Sequence, residues 1–246
     1  MRFTEDHRPP GFLERTLDRL LLRSTTVTAV KTISERFRLI DLEGDALQGA
    51  AWAPGHKLQI KVGAPLMART FTPISFDAER GRTRILGYAH GEGPGSDWLR
   101  RVQAGDACQV FGPHRSLALG DLAGPVVLHG DETSLGLAAA VVDARAALGV
   151  PEPRCVFEVD SIAESTLALQ ALGVVPSLLV ERGDEARRMQ AASELWSQCS
   201  GDGTLFVLTG RAQSIQQARQ ALKGRGVPAS RIVSKAYWAP GKTGMD

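Results

Sequence analysis

Three side chains on one short stretch have the chemistry to hold a phosphorylated planar ligand. In Arg69-Thr-Phe-Thr72, positions i, i+2 and i+3 carry a guanidinium, an aromatic ring and a hydroxyl. Arginine can offer forked hydrogen bonds to a pyrophosphate. Phe71 can pack flat on a conjugated ring, and Thr72 can hydrogen-bond at that ring's edge. Such a triplet also arises by chance in barrel strands, so it needs support. His90-Gly-Glu-Gly-Pro-Gly-Ser-Asp-Trp98 supplies some. The run is a glycine-rich turn feeding a helix, where the backbone amides of Gly95 and Ser96 would form a natural anion site. The simpler reading is a plain helix start capped by Ser96. A cap alone, however, does not require His90, Gly91, a proline and Trp98 together.

Metal chemistry by the protein itself is not indicated. The five histidines show no HxxxH or HExxH spacing, and Cys108, Cys155 and Cys199 form no CxxC pair. Zinc and iron–sulfur sites are built from such close pairs. Scattered thiols read instead as buried apolar groups in a reducing compartment. The chain has 246 residues, with 29 basic and 27 acidic side chains for a formal charge of +2. That balance gives no reason to expect a nucleic-acid partner. The longest apolar stretch, residues 135–142, is too short to cross a bilayer, and no apolar leader opens the chain. A cytoplasmic monomer is the expectation.

The elements that must position these residues change character midway. Residues 12–21 carry apolar side chains at helical spacing, which predicts a docking helix or, less simply, one lying on a membrane surface. From Thr25 the pattern has period two, in runs around 25–32, 36–42, 57–62, 69–76, 82–89 and 107–111, broken by Gly, Pro and Asp. Six short strands of this kind predict a closed antiparallel barrel, interrupted by one helix over 96–102. The second half alternates buried strands (125–129, 154–159, 176–180, 204–209, 231–236) with helices, which predicts a parallel α/β sheet. The connector is Gly120-Asp-Leu-Ala-Gly-Pro125. The expected fold class is therefore two-domain: an antiparallel β-barrel with an N-terminal helix over 1–120, then an α/β domain with a parallel sheet over 121–246. Trp52 and Trp196 read as packing residues.

That layout is the one of ferredoxin-reductase-like flavoproteins, in which the flavin lies between the domains. The Arg69–Thr72 triplet fits their flavin strand. More specifically, the 90–98 run resembles the His-Gly-x-Gly-Pro-[Ala/Ser]-x-x-Trp signature of the siderophore-interacting protein family, with one extra residue before Ser96. Gly105-Asp106 with Gly112-Pro113, Gly130-Asp-Glu-Thr133, and Ala236-Tyr-Trp238 with Gly241 resemble three further motifs of that family, in the same order.

The resemblance implies an FAD-dependent NAD(P)H ferric-siderophore reductase that releases iron as Fe(II). FAD is the implied cofactor, NADH or NADPH the electron donor, and the ferric siderophore a small-molecule substrate. Carried onto this sequence, the implied cofactor-binding residues are Arg69, Phe71, Thr72, His90, Gly91, Gly95, Ser96, Trp98, Asp131, Thr133 and Trp238. Lys57, Arg115 and Lys235, each at an expected strand end, are candidates for siderophore binding, since a local basic cluster rather than a net charge of +2 would recruit an anionic chelate. No side chain is assigned to catalysis, because the flavin carries the redox chemistry.

Two departures stand out: Ile74 where the family strand usually has an arginine, and Arg211 where it commonly has glutamate. Arg211 could face a nucleotide phosphate or solvent. Glu158 and Asp160 end the second strand of the α/β half, where a ribose hydroxyl can be held. The alternatives are a general NAD(P)H–flavin oxidoreductase and a non-enzymatic flavin- or siderophore-binding protein.

Overall fold

The structure is a computed structural model that describes residues 23–63, 67–183, 185–198 and 203–241. The expected helix over 12–21, Cys199 and Lys242 lie outside the described residues.

The first half forms one antiparallel sheet of seven strands. These are β1 (Arg23–Thr32), β2 (Phe37–Glu43), β3 (His56–Lys61), β4 (Ala68–Phe71), β5 (Pro73–Asp77), β6 (Arg82–Tyr88) and β7 (Ala107–Arg115). Their order is β4-β3-β7-β1-β2-β6-β5. The two edge strands, β4 and β5, are consecutive in the chain with only Thr72 between them. The sheet's two edges are thus tied by one residue, and it curls on itself. The sequence predicts one strand over 69–76; the structure has two. Pro73 lacks an N–H and is tolerated where a strand begins, so the chain turns a corner there.

Period-two burial follows from the pleat. On β6, Thr83 and Ile85 point inward while Arg82 and Arg84 point out and pair with Glu43 and Asp41 across β2. Helix α1 (Pro94–Arg101) packs on the barrel through Leu99, buried with Ile40, Ile60, Ile85 and Val110. It starts two residues before the predicted Ser96, because Pro94 suits a first helical turn, where its missing N–H has no partner to lose.

The second half is a five-stranded, wholly parallel sheet in the order β10-β9-β8-β11-β12. Its strands are β8 (Val126–Gly130), β9 (Arg154–Val159), β10 (Leu178–Glu181), β11 (Leu205–Arg211) and β12 (Ile232–Trp238). Between them run α2 (Leu135–Ala147), α3 (Ile162–Leu172), α4 (Glu185–Gln198) and α5 (Ala212–Gly224). All five residues of β8 are buried, as expected of a strand covered on both faces. The strand order reverses between β8 and β11, the place where ligands bind in such sheets. Trp196 is fully buried with His129 edge-on to it; Trp52 stacks on Phe76.

The two sheets share a core. Phe37, Ile74, Leu117 and Leu119 are buried in one cluster with Leu128, Leu135, Leu137 and Ala138. Gly136 at the start of α2 lets that helix approach the barrel: a Cβ there would lie 3.4 Å from the Thr72 carbonyl oxygen and 3.7 Å from Ile74. Across the barrel, Gly87 serves α1 in the same way, since a Cβ would fall 2.1 Å from a Leu99 methyl carbon. Gly87→Ala must therefore displace the Leu99 side chain. We expect it to lower stability by about 1–3 kcal/mol, the usual range for overpacking. Urea unfolding checks this, and an unchanged midpoint would show that the helix does not sit that close.

Candidate functional site

The strands that position the singled-out residues converge on one cleft of about 290 Å³ at the seam between the two sheets. Its barrel wall includes Lys57, Arg69, Phe71, Thr72, Tyr88 and His90, with Gly95 and Ser96 from the start of α1. Its α/β wall includes Thr133, Lys235, Tyr237 and Trp238. Of the residues singled out in the sequence, Gly91, Trp98, Asp131 and Arg115 do not line it.

Arg69 lies against the start of α1. A Cβ on Gly95 would come 3.0 Å from Arg69 Cγ, so a side chain there would press on the guanidinium stem. Arg69 donates to its neighbour's carbonyl, on Ala68, at 2.8 Å and has no carboxylate partner among the described residues. No side chain caps α1. Its first intrahelical bond shown runs from Asp97 N–H to Gly93 O, which leaves the amides of Gly95 and Ser96 in the open first turn. A guanidinium with no carboxylate partner among the described residues, beside an uncapped helix start, fits the pyrophosphate of a dinucleotide. Ser96 is not the cap: it is buried, and its hydroxyl donates to the His90 carbonyl at 3.0 Å. Phe71 is backed by Trp98, ring centroids 5.8 Å apart, so its ring is braced from the barrel side. Gly91 has φ 62°, in the left-handed region, and its carbonyl accepts from Arg100 at 2.8 Å.

The His90 ring stands between Tyr88 and Trp238, 6.0 and 6.2 Å away and near parallel to both. Burial and Arg69 hold its pKa below the usual histidine value, against the pull of Asp131. Near neutral pH the ring is therefore uncharged.

Asp131 and Thr133 form the turn after β8. Asp131 is fully buried and accepts from four donors: Thr133 N–H at 2.9 Å, Thr133 hydroxyl at 2.5 Å, Arg211 N–H at 2.8 Å and the Trp238 indole N–H at 2.7 Å. The aspartate and the tryptophan, 107 residues apart in sequence, are thus direct partners. Gly210 is required beside them: its φ is 99°, and a Cβ would fall 2.5 Å from the Asp131 carboxylate.

Sequence reasoning missed a polar seam across the two sheets. Arg36, on the turn before β2, pairs with Glu164 of α3. Tyr88 donates to Asp160 at 3.1 Å. Arg182, just past β10, pairs with Glu132 at 2.6 Å and with Asp160, and its guanidinium lies 5.4 Å from the Trp238 ring centre. Each residue is commonplace in its own segment; only the fold brings them together. Asp160 is thereby engaged, while Glu158 is buried and accepts from Ser214. Tyr237 was likewise unweighed. Its hydroxyl meets the Thr72 side chain across the seam, and burial pushes its pKa up to about 12.

Ile74 is buried in the shared core, so the departure from arginine places an apolar contact between the sheets where a charge was expected. Arg211 uses its backbone N–H on Asp131 and its guanidinium on Gln213 at 2.5 Å. Lys235 lines the cleft with no ion-pair partner among the described residues. Arg115 is exposed at the end of β7, opposite His56 and one register step past the Lys57–His114 pair.

Residues 59–117 match the model of the siderophore-interacting FAD-binding domain, and residues 123–241 that of the siderophore-interacting protein. The fold is similar to SipS, a siderophore-interacting protein from Aeromonas hydrophila (TM-score 0.70, 21% identity, 91% of this chain and 93% of that one). It is also similar to a siderophore utilization protein from T. fusca (0.70, 23%, 92% and 95%) and to the Amycolatopsis cytochrome P450 reductase GcoB (0.71, 22%, 90% and 71%). No curated protein matches the sequence.

Arg69→Ala removes the guanidinium beside the start of α1; if a pyrophosphate is held there, the change should weaken FAD by about 1.5–3 kcal/mol, the usual worth of a hydrogen bond to a charged group. Titration of flavin-free protein, followed by quenching of flavin fluorescence, measures this. Unchanged affinity would remove Arg69 from the site.

Proposed function

The chain belongs to the siderophore-interacting protein family, and from that premise we propose that it is a flavin-dependent reductase of ferric siderophores that takes electrons from NADH or NADPH. The observation that carries the reading is the seam cleft, where Arg69, with no carboxylate partner among the described residues, lies against the uncapped start of α1. Arg69 and the start of α1 would hold FAD there, and the flavin would supply the link between a two-electron hydride donor and a one-electron Fe(III) acceptor.

In this reading the chain's own residues bind, orient and screen. Arg69 and the Gly95 and Ser96 amides hold the pyrophosphate. Phe71, braced by Trp98, supplies an apolar face for the ring, and Thr72 a hydroxyl at its edge. Trp238 forms part of the opposite, α/β wall, with neutral His90 reaching it from the barrel side. Thr133 closes that wall beside the β8–β11 switch point. Asp131 serves the site through Trp238 and Arg211 rather than by touching a ligand.

The ferric ion is cargo, delivered in its own chelator. Hard oxygen donors hold Fe(III) far better than the less charged Fe(II), so reduction alone loosens the metal. Lys57 and Lys235 line the cleft with Arg69, and Arg115 extends the basic surface along β7. A cleft lined by one sign of charge concentrates an oppositely charged ligand.

Anaerobic assays with NADH or NADPH, trapping Fe(II) from an anionic and from a neutral ferric chelate, test both parts of the reading. We expect Fe(II) from both chelates. Lys235→Glu, Arg115→Glu and added salt should each slow the anionic chelate alone. No Fe(II) from any chelate would refute the activity. Equal slowing of both chelates, or of neither, would refute the steering.

A further inference from the structure

Two motifs far apart in the chain close on one another through a single carboxylate. Asp131, in the turn after β8, has no exposed surface. Its Oδ1 accepts from the Thr133 amide and hydroxyl. Its Oδ2 accepts from the Arg211 amide at 2.8 Å and the Trp238 indole at 2.7 Å. The three strands that contribute, β8, β11 and β12, are neighbours in the sheet, and the carboxylate sits past their carboxyl ends. Gly210 has no Cβ, which leaves the carboxylate its space.

The indole is fixed on its other sides as well. The His90 ring lies 6.2 Å from it and inclined by 27°. The Arg182 guanidinium stands 5.4 Å from the ring centre and is itself held by Glu132 and Asp160. A tryptophan at the end of a strand can adopt several rotamers. Here its N–H is committed inward, and the residue lines the cleft.

We propose that Asp131 is a positioning residue for the cofactor cleft, pinning Trp238 so that the α/β wall is preformed before FAD binds. The proposal rests on the placement of FAD in the seam cleft. A wall ordered in advance spares the ligand the cost of immobilising a side chain, which is worth about two- to tenfold in affinity per residue. The carboxylate itself need not touch the cofactor. Asp131→Asn tests this specifically, because the amide keeps the shape but presents a donor either to Thr133 or to the Arg211 and Trp238 N–H groups. One side of the pin must face donor against donor.

The experiment is a double-mutant cycle on FAD affinity with D131N, W238F and the double variant, read together with the indole N–H resonances of flavin-free protein. Loss of one resonance in W238F assigns Trp238. We expect D131N to weaken FAD by about two- to tenfold and the double variant to bind no worse than W238F, since the effect passes through the indole. The Trp238 N–H should exchange slowly in the wild type and faster in D131N. Additive losses, or an indole resonance unmoved in D131N, would overturn the proposal. If D131N does not fold, the wild type and W238F decide: fast exchange of the Trp238 N–H, or unaltered FAD affinity in W238F, overturns it. Should Arg69→Ala leave FAD binding unchanged, it is the cofactor's placement that fails, while the indole resonance still reports on the pin.

Discussion

A carboxylate removed from water must find hydrogen-bond donors inside the protein or take up a proton. Asp131 is wholly buried, and burial pushes its carboxyl up, opposed by the Thr133 hydroxyl and the Trp238 indole. Meeting that demand fixes much of the site. Two donors come from its own turn, which sets the geometry from β8 into α2. One comes from the backbone at the end of β11, which requires glycine at 210. The last is the indole of Trp238, the final residue of β12. The carboxyl ends of three parallel strands are thereby held in register around the switch point, and Trp238 faces the barrel.

The barrel supplies the complementary half, and the way its sheet closes matters. Because β4 and β5 are edge strands joined only through Thr72, the corner of the barrel lies at the flavin-type triplet itself. That corner is packed from below by Gly136 and Ile74 and met from across the seam by Tyr237. Arg36, Tyr88, Asp160, Glu164 and Arg182 add a chain of polar contacts along the same seam. Ile74 gains meaning in this setting. The resemblance predicts a charge there, but the side chain is part of the core that both sheets share.

Much of this architecture is legible in the sequence, because the pleat and the helix impose periods that the apolar residues must follow. The change from period-two runs to buried strands alternating with helices locates the two sheets. The glycine-rich run and the Arg69 triplet locate one wall of the cleft. What the sequence conceals is partnership between distant residues. Asp131 and Trp238 can be singled out separately, yet their hydrogen bond needs the β8-β11-β12 adjacency, which no local pattern states. Arg36, Tyr88 and Arg182 carry no spacing at all that marks them. Glu158 and Asp160 end the expected strand, but their engagement with Ser214, Arg182 and Tyr88 appears only once the fold is formed. Gly-Pro and Pro effects shift element ends by a residue or two, as at Pro73 and Pro94, since a missing N–H decides where hydrogen bonding can begin.

The central claim is that FAD lies in the seam and is walled by both halves of the chain. Hydrogen exchange of the backbone, measured with and without FAD, tests it directly. The account predicts that FAD protects amides around 69–72 and 90–98 in the barrel half and around 133 and 235–238 in the α/β half. Protection confined to one half, or centred outside these segments, would contradict it.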